Sequence, residues 1–227
     1  MKLPKHIGII LDGNGRWAKS RGKARIEGHK QGLKTLEKVV EHASELNIKY
    51  LTVYAFSTEN WNRPEAEVNF LMTTFEKYLK DAIKKSNDRD VKFNILGSRD
   101  RLTESAVKLI DELEEKTKNK TGITFNVAVN YGGRDEIVRA IKKIDTSDID
   151  GLTIDEFSNY LDTAGMPDPD LIIRTSGECR VSGFLLWQLA YAEFYFTDIH
   201  WPDFDKEELI KAIDSYSKRD RRMGSIK

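Results

Sequence analysis

Apolar residues along this chain fall into two alternating patterns. Six short stretches are almost continuously apolar, at residues 6–11, 50–56, 91–96, 123–129, 171–173 and 194–196. Runs of that length without polar alternation suit strands covered on both faces. Between them, apolar residues return every three to four positions. Leu33, Leu36, Val39, Val40, Ala43 and Leu46 form one such series, and Leu71, Phe75, Tyr78, Leu79 and Ile83 another. Shorter series run through Leu109, Ile110 and Leu113, and through Ile137, Val138, Ile141 and Ile144. Thr153 with Glu156, and Asp205 with Glu208, have the spacing of helix-starting capping boxes. The alternation predicts an α/β fold: one domain over residues 1–227, built on an open, mainly parallel six-stranded sheet with helices on both faces.

Ligands of such sheets bind beyond the carboxyl ends of the strands. The first strand runs into Asp12-Gly13-Asn14-Gly15-Arg16-Trp17 and then a helix start. Glycines there leave bare N–H groups that a helix start would aim at an anion. Asp12 could hold a divalent cation shared with that anion. The plainer reading is a strand-to-helix turn with an Asx cap. The other strand ends tip the balance. They read Ser57-Thr58-Glu59-Asn60-Trp61-Asn62-Arg63, Gly97-Ser98-Arg99, Asn130-Tyr131-Gly132-Gly133-Arg134, and Arg174-Thr175-Ser176-Gly177-Glu178 followed by Arg180 and Ser182. Arginine forks, hydroxyls and exposed N–H groups are what a diphosphate needs. Five such ends on one rim predict a polyanionic small-molecule site.

Composition narrows the class. The 227 residues carry 37 basic and 37 acidic side chains, which argues against a general nucleic-acid binder. The single cysteine, Cys179, excludes an intramolecular disulfide and fits a reducing, cytoplasmic compartment. No apolar run approaches the roughly 20 residues of a membrane span, and the one after Met1 is too short for a signal peptide. A G-x-x-x-x-G-K-[ST] loop, a G-x-G-x-x-G turn and His/Cys metal spacings are all missing, which disfavours P-loop nucleotidases, dinucleotide folds and structural zinc.

The motifs resemble those of the cis-prenyltransferases, most closely the bacterial undecaprenyl diphosphate synthases, over essentially the whole chain. The runs that carry the resemblance are residues 12–18, Gly28-His29, residues 56–64, 130–134 and 174–178, and Phe184-Leu185-Leu186-Trp187-Gln188 leading to Glu193. Paired D-D-x-x-D helices, the mark of the all-helical trans enzymes, do not occur. The resemblance implies Mg²⁺-dependent condensation of isopentenyl diphosphate onto an allylic diphosphate such as farnesyl diphosphate, with cis double bonds. It implies an undecaprenyl product, an apolar tunnel for the growing chain, a homodimer, and transient membrane contact for product release. By residue, it implies Asp12 on Mg²⁺ beside the allylic diphosphate, with Gly13, Asn14, Gly15, Arg16, Trp17, Arg25 and His29 around the phosphates. Arg174, Arg180, Val181 and Ser182 would hold isopentenyl diphosphate, with Glu193 sharing its metal. Ser57, Thr58, Glu59, Asn60, Trp61 and Arg63 would line the reacting centre. Asn60 is described in the family as a proton acceptor, but a neutral amide is a very weak base and suits positioning better. Arg222-Met223-Gly224 resembles an Arg-x-Gly tail that reaches the partner's phosphates.

Other readings stand beside these. Trp187 reads as a core aromatic, while Trp17 and Trp61, flanked by polar loop residues, read as site residues. His29 could instead cap a helix. Lys19 and Lys23 read as solvated, and Cys179 as an inert thiol. The stripe from Leu71 to Ile83 could be core, tunnel wall or both. Phe125 could close the tunnel or simply fill the core. Gly183 departs from the family, which usually has asparagine there. A short-chain or branching synthase, or a non-catalytic subunit of a prenyltransferase pair, are the alternatives in function.

Overall fold

The computed structural model describes residues 2–219. All six predicted strands form: β1 (His6–Ile10), β2 (Tyr50–Ser57), β3 (Val91–Leu96), β4 (Ile123–Tyr131), β5 (Leu171–Arg174) and β6 (Glu193–Phe196). They make one sheet in the order β3-β4-β2-β1-β5-β6, and every neighbouring pair is parallel. The chain builds outward from β1 through β2 to β3 and β4, then crosses to β5 and β6 on the other side. The strand order therefore reverses at β1, which puts the expected ligand crevice at the carboxyl ends of β2, β1 and β5.

The helices are α1 (Asn14–Ser20), α2 (Arg25–Glu45), α3 (Glu65–Lys85), α4 (Glu104–Thr117), α5 (Gly133–Ile141), α6 (Ile154–Ser158) and α7 (Lys206–Ser217). The two capping signals hold. Thr153 Oγ1 accepts from the Glu156 N–H at 3.2 Å, and Asp205 Oδ1 accepts from the Glu208 N–H at 3.0 Å. The two faces of the sheet are covered unequally. Ile7, Ile9, Val53, Phe125 and Ile173 face a large core filled from α2, α3, α4 and α7. Ile10, Tyr54, Ala128 and Ile172 face a smaller core closed by Phe184 and Leu185, with α5 and α6 around a third cluster at Ala140, Phe157 and Leu161. Trp187 packs against this cluster, its ring tilted on Phe157 at 4.6 Å between centres, as its core reading expected.

Phe125 is fully buried, with Phe93 edge-on at 5.6 Å between ring centres. It is a core side chain and is not among the residues that line the cavity at the sheet's rim.

A polar belt crosses the sheet beneath the rim. His6 Nε2 bonds Thr52 Oγ1 at 2.7 Å, Asn126 donates to the same hydroxyl at 2.8 Å, and Asn94 donates to Asn126 at 2.9 Å. Burial pushes the His6 imidazole down to about 4, against the smaller opposing pull of the Pro167 carbonyl and Asp170. The folded protein thus keeps His6 neutral while an unfolded chain takes up a proton near pH 6.5. Stability present above pH 6.5 should be lost as pH falls from 6.5 toward 4, by about 3 kcal/mol over the window. Denaturant titrations at a series of pH values should show that slope in the wild type and not in His6→Gln.

Candidate active site

The rim is built where β1, β2 and β5 end. At the tip of β1 the chain turns through Gly13, whose φ of +103° belongs to the left-handed half of the map. A Cβ there would lie 1.8 Å from Ser176 Oγ, so only glycine fits. The Asp12 carbonyl accepts from Thr175 Oγ1 at 2.7 Å, Ser176 Oγ at 3.0 Å and the Trp201 N–H at 3.0 Å, while the Asp12 N–H donates to Thr175 Oγ1 at 3.0 Å. This clasp fixes the backbone and leaves the carboxylate to face its cations. Arg174 Nη2 lies 3.0 Å from Asp12 Oδ2, and Arg16 Nη2 lies 3.2 Å from Oδ1. Partial burial would raise the Asp12 carboxyl, but the Arg174 hydrogen bond and the two guanidiniums outweigh it and hold the group below its usual range.

Arg174 is 4% exposed. Its fork also holds Ser182 Oγ at 2.9 Å and the Arg180 carbonyl, which ties the loop after β5 to Asp12. That loop is folded tightly: Ser176, Gly177, Ser182 and Gly183 all have positive φ. Non-glycine residues in such conformations store strain and cluster at functional sites. On α2, Gly28 and Gly32 make a notch for α1. A Cβ on Gly28 would meet the Asn14 carbonyl at 1.9 Å, and one on Gly32 would meet Asn14 Oδ1 at 2.2 Å. The notch draws Asn14, Gly15 and Arg16 against Arg25 and His29. Glu67, at the start of α3, gathers two guanidiniums and an imidazole: Arg63 Nη1 at 3.1 Å, Arg25 Nη2 at 3.2 Å and His29 Nε2 at 3.5 Å. Burial, the largest effect, lowers the His29 imidazole and outweighs Glu67.

Below this charged mouth lies a cavity of about 470 Å³. Asp12, Gly13, Asn14, Gly15, Arg16, Arg25, His29, Ser57, Asn60, Arg63, Arg174 and Ser182 line its mouth. Leu33 and Leu36 from α2, Leu71, Met72, Phe75 and Tyr78 from α3, and Phe56, Val127 and Val129 from the sheet line its interior. From the first residue of α3 to Tyr78 is about 20 Å along the helix axis. The α3 stripe is thus both core and cavity wall. Asn60 Oδ1 accepts the Ser57 N–H at 3.1 Å, which leaves the amide NH₂ as its free end. The cavity therefore meets Asn60 as a donor.

Seven residues predicted for the site do not line this cavity, and each has a physical reason. Trp17 is 8% exposed; its Nε1–H donates to Asp203 at 2.7 Å and the Arg21 guanidinium covers its ring. Thr58 packs on the Gly132 backbone, and Glu59 faces solvent. Trp61 packs edge-on against Phe56 and donates to Asn130 at 2.7 Å. Arg180 is exposed and paired with Glu178. Val181 packs on the smaller core. Glu193 starts β6 opposite Leu171, three residues along β5 from Arg174, and its carboxylate pairs with Arg219 at 2.6 Å. Nor do five strand ends converge on one anion. The Gly97 N–H donates to the Asp162 carboxylate, Ser98 Oγ accepts the Asp100 N–H, Arg99 pairs with Glu114, and Asn130 anchors Trp61. Arg222, Met223 and Gly224 lie outside the described residues.

The geometry defines a class: an enzyme that holds a diphosphate at a charged mouth and an apolar chain behind it. Residues 10–224 match the family described as "Putative undecaprenyl diphosphate synthase", and the chain belongs to that family of isoprenyl transferases. It is 54% identical over 225 residues to an isoprenyl transferase of Fusobacterium nucleatum, covering 99% of this chain and 97% of the relative. An isoprenyl transferase of Aquifex aeolicus is 49% identical, covering 100% and 98%. Among solved structures, lavandulyl diphosphate synthase from Lavandula x intermedia, in complex with dimethylallyl diphosphate, superposes with a TM-score of 0.93 at 38% identity, covering 98% of this chain and 99% of that one. A Campylobacter jejuni protein described as a probable undecaprenyl diphosphate synthase gives 0.82 at 34% identity, covering 99% and 100%.

The structure also explains the departure at Gly183. Its φ is +81°, and its carbonyl accepts the Gly133 N–H at 2.7 Å. A Cβ would meet nothing closer than 3.9 Å, so conformation, not space, sets the requirement. Asparagine tolerates the left-handed region better than other side chains, so Gly and Asn answer the same demand. Gly183→Asn should therefore keep stability and turnover. Gly183→Val should cost about 1–2 kcal/mol and disturb Ser182 beside it. Denaturation curves and initial rates check both.

Proposed function

We propose that this enzyme elongates an allylic diphosphate, farnesyl diphosphate among them, by repeated addition of isopentenyl diphosphate to give undecaprenyl diphosphate. The observation that carries the reading is a cavity charged at its mouth and apolar over its depth, and product length separates it from the alternative, a short- or medium-chain or branching synthase.

The residues present suit Mg²⁺. Asp12 offers an ionised carboxylate at the mouth, and among the described residues no group of three or more His, Cys, Asp or Glu could complete a protein cage. Mg²⁺ characteristically takes one or two carboxylates and fills the rest with phosphate oxygens and water. Bound there, the ion would neutralise charge on the departing diphosphate. Arg16, Arg25, His29 and the N–H groups of the Gly13–Gly15 turn would hold the allylic diphosphate. Arg174 and Ser182 would orient isopentenyl diphosphate against it. The allylic carbon–oxygen bond breaks, the terminal carbon of isopentenyl diphosphate adds to the allylic carbon, and a proton leaves to a phosphate oxygen. Asn60, as a donor, would position a phosphate oxygen rather than take the proton. Holding both partners and meeting developing charge with fixed donors lowers the barrier.

The reading extends to a homodimer, which the exposed apolar side chains around α5 and α6 support. Val138, Ile141, Ile149 and Ile154 are 49%, 53%, 52% and 73% exposed. These exposed apolar side chains are the ones a second copy would cover on this reading. Among the described residues no helix is long and apolar enough to cross a membrane, so release of the lipid product would use transient contact from a cytoplasmic enzyme.

Asp12→Ala should lower kcat by roughly 10²–10³ at saturating Mg²⁺ in a protein that still folds, with a lowered melting temperature because Arg174 is left buried without its counter-charge. Incubation with farnesyl diphosphate and labelled isopentenyl diphosphate, followed by chromatography of the products, reads both rate and chain length. Near-normal turnover would remove Asp12 from the chemistry, and products of one or two additions would overturn the long-chain reading. Ile141→Asp combined with Ile154→Asp should convert dimer to monomer by light scattering, and an unchanged mass would place the interface elsewhere.

A further inference from the structure

Trp61 sits in the middle of a short 3₁₀ turn, Thr58–Asn62, whose neighbours Asn60 and Arg63 line the cavity. Its own ring does not. It is held from three sides, by Phe56 of the cavity wall and by Asn130 and Arg101, which do not line the cavity. Phe56 packs edge-on at 5.0 Å. Asn130 Oδ1 accepts the indole N–H at 2.7 Å. The Arg101 guanidinium lies over the ring, 4.4 Å from its centre.

Asn130 and Arg101 are themselves linked. The Asn130 amide donates to the Ser98 carbonyl at 3.0 Å and to the Asp100 carbonyl at 2.6 Å. One side chain therefore joins the loop after β3 to the turn after β2, with both amide hydrogens and the oxygen in use. The backbone yields to that arrangement. Arg101 has φ +68° and Asn130 has φ +48°. For an arginine the left-handed region is unfavourable, and such residues persist where their surroundings over-determine them. Gly97 lets this loop lie flat on β4: a Cβ there would meet the Val129 carbonyl at 2.1 Å. Two strained residues on separate elements thus converge on one indole.

We propose that Arg101 is a positioning residue for the prenyl transfer. It clamps Trp61 from the solvent side while Asn130 pins the indole N–H, and together they fix the turn that presents the Asn60 amide and Arg63 to the diphosphates. The proposal rests on the reading that Asn60 and Arg63 contact substrate. A cation over an indole face is a stabilising, orientation-dependent contact, and a guanidinium stacks where an ammonium only approaches. Small displacements of positioning groups carry large rate costs.

Arg101→Ala should lower kcat by about tenfold, since misplaced positioning groups act on the reacting geometry. The KM for the allylic diphosphate, held at the β1 turn, should stay within about twofold of wild type. The melting temperature should stay near wild type, because Arg101 is exposed. Arg101→Lys should recover part of the loss. The deciding measurement is a double-mutant cycle with Trp61→Leu: once the ring is gone, Arg101→Ala should cost little more. A full tenfold penalty in the Trp61→Leu background would mean Arg101 acts elsewhere. Wild-type kcat in Arg101→Ala, or equal rates for the lysine and alanine variants, would also overturn the proposal. Asn60→Ala, assayed alongside, separates the two levels. If it is fully active, the underlying assignment falls; if it is impaired while Arg101→Ala is normal, only the clamp falls.

Discussion

The contact between Asp12 and Arg174 is the constraint on which the rest of the site depends. Arg174 ends β5 almost completely buried, and a buried guanidinium without a counter-charge is strongly unfavourable. Asp12, one turn beyond the neighbouring β1, supplies that charge at 3.0 Å. The same guanidinium holds Ser182 and the Arg180 carbonyl, so the left-handed loop from Ser176 to Gly183 folds back around it. Reciprocally, Thr175 and Ser176 clasp the Asp12 backbone. Two adjacent parallel strands thus exchange charge one way and hydrogen bonds the other. Parallel pairing in the register Ile10 with Arg174 makes that exchange possible. A one-residue slip would turn every side chain of the strand to the other face.

The mouth then needs cations from the opposite wall, and small residues deliver them. Gly28 and Gly32 lie one turn apart on α2 and admit Asn14 where any side chain would collide. Because α1 seats in that notch, Arg16 meets Asp12 while Arg25 and His29 face the same opening from α2. Glu67 collects Arg25, His29 and Arg63 into one cluster. Overall charge balance conceals this: 37 acids cancel 37 bases over the chain, yet the cavity mouth, with Arg16, Arg25, Arg63 and Arg174 beside Asp12, is locally basic.

The fold was legible because parallel strands covered on both faces are continuous apolar runs, and each predicted run became a strand within one or two residues. Asp12, Arg174 and the glycine-rich turn were legible because their chemistry follows directly from residue type at a strand end. The rest depended on direction, which strand ends do not encode. Trp61 is adjacent to two cavity residues, but alternate side chains of a tight turn point opposite ways, and its indole N–H was drawn to Asn130. Arg99 and Asn130 carry the residue types of a phosphate loop, yet β3 and β4 lie beyond β2, away from the switch point, and their polar groups brace the backbone instead. Glu193 stands at the wrong end of β6 for the cavity, and only strand direction reveals it. Glu67 had no sequence signal beyond an acid in the first turn of a helix. Arg101, in a loop three elements away, had none.

The division of the cavity into a charged mouth and an apolar interior has an energetic consequence for a reaction that repeats. On the proposed reading every addition would use the same mouth, and the fixed groups at Asp12, Arg16 and Arg174 would serve each cycle without rearrangement. The apolar end must advance by one five-carbon unit each time. Burying a unit is worth about 4 kcal/mol at about 0.8 kcal/mol per CH₂, so a chain that still has wall to fill is held more tightly after each step than before it. Diphosphate departs while the growing chain stays. That gain would fall once the tail has filled the wall lined by Leu71, Met72, Phe75 and Tyr78, where further units would have to displace packed side chains or extend out of the cavity. Beyond that point each addition loses its burial term while the mouth is unchanged, and release competes with elongation. Chain length is therefore a property of the far wall, carried by α2, α3 and β4, and bond formation a property of the near one. On this reading the two are carried by different side chains, so that a change of wall need not disturb the chemistry.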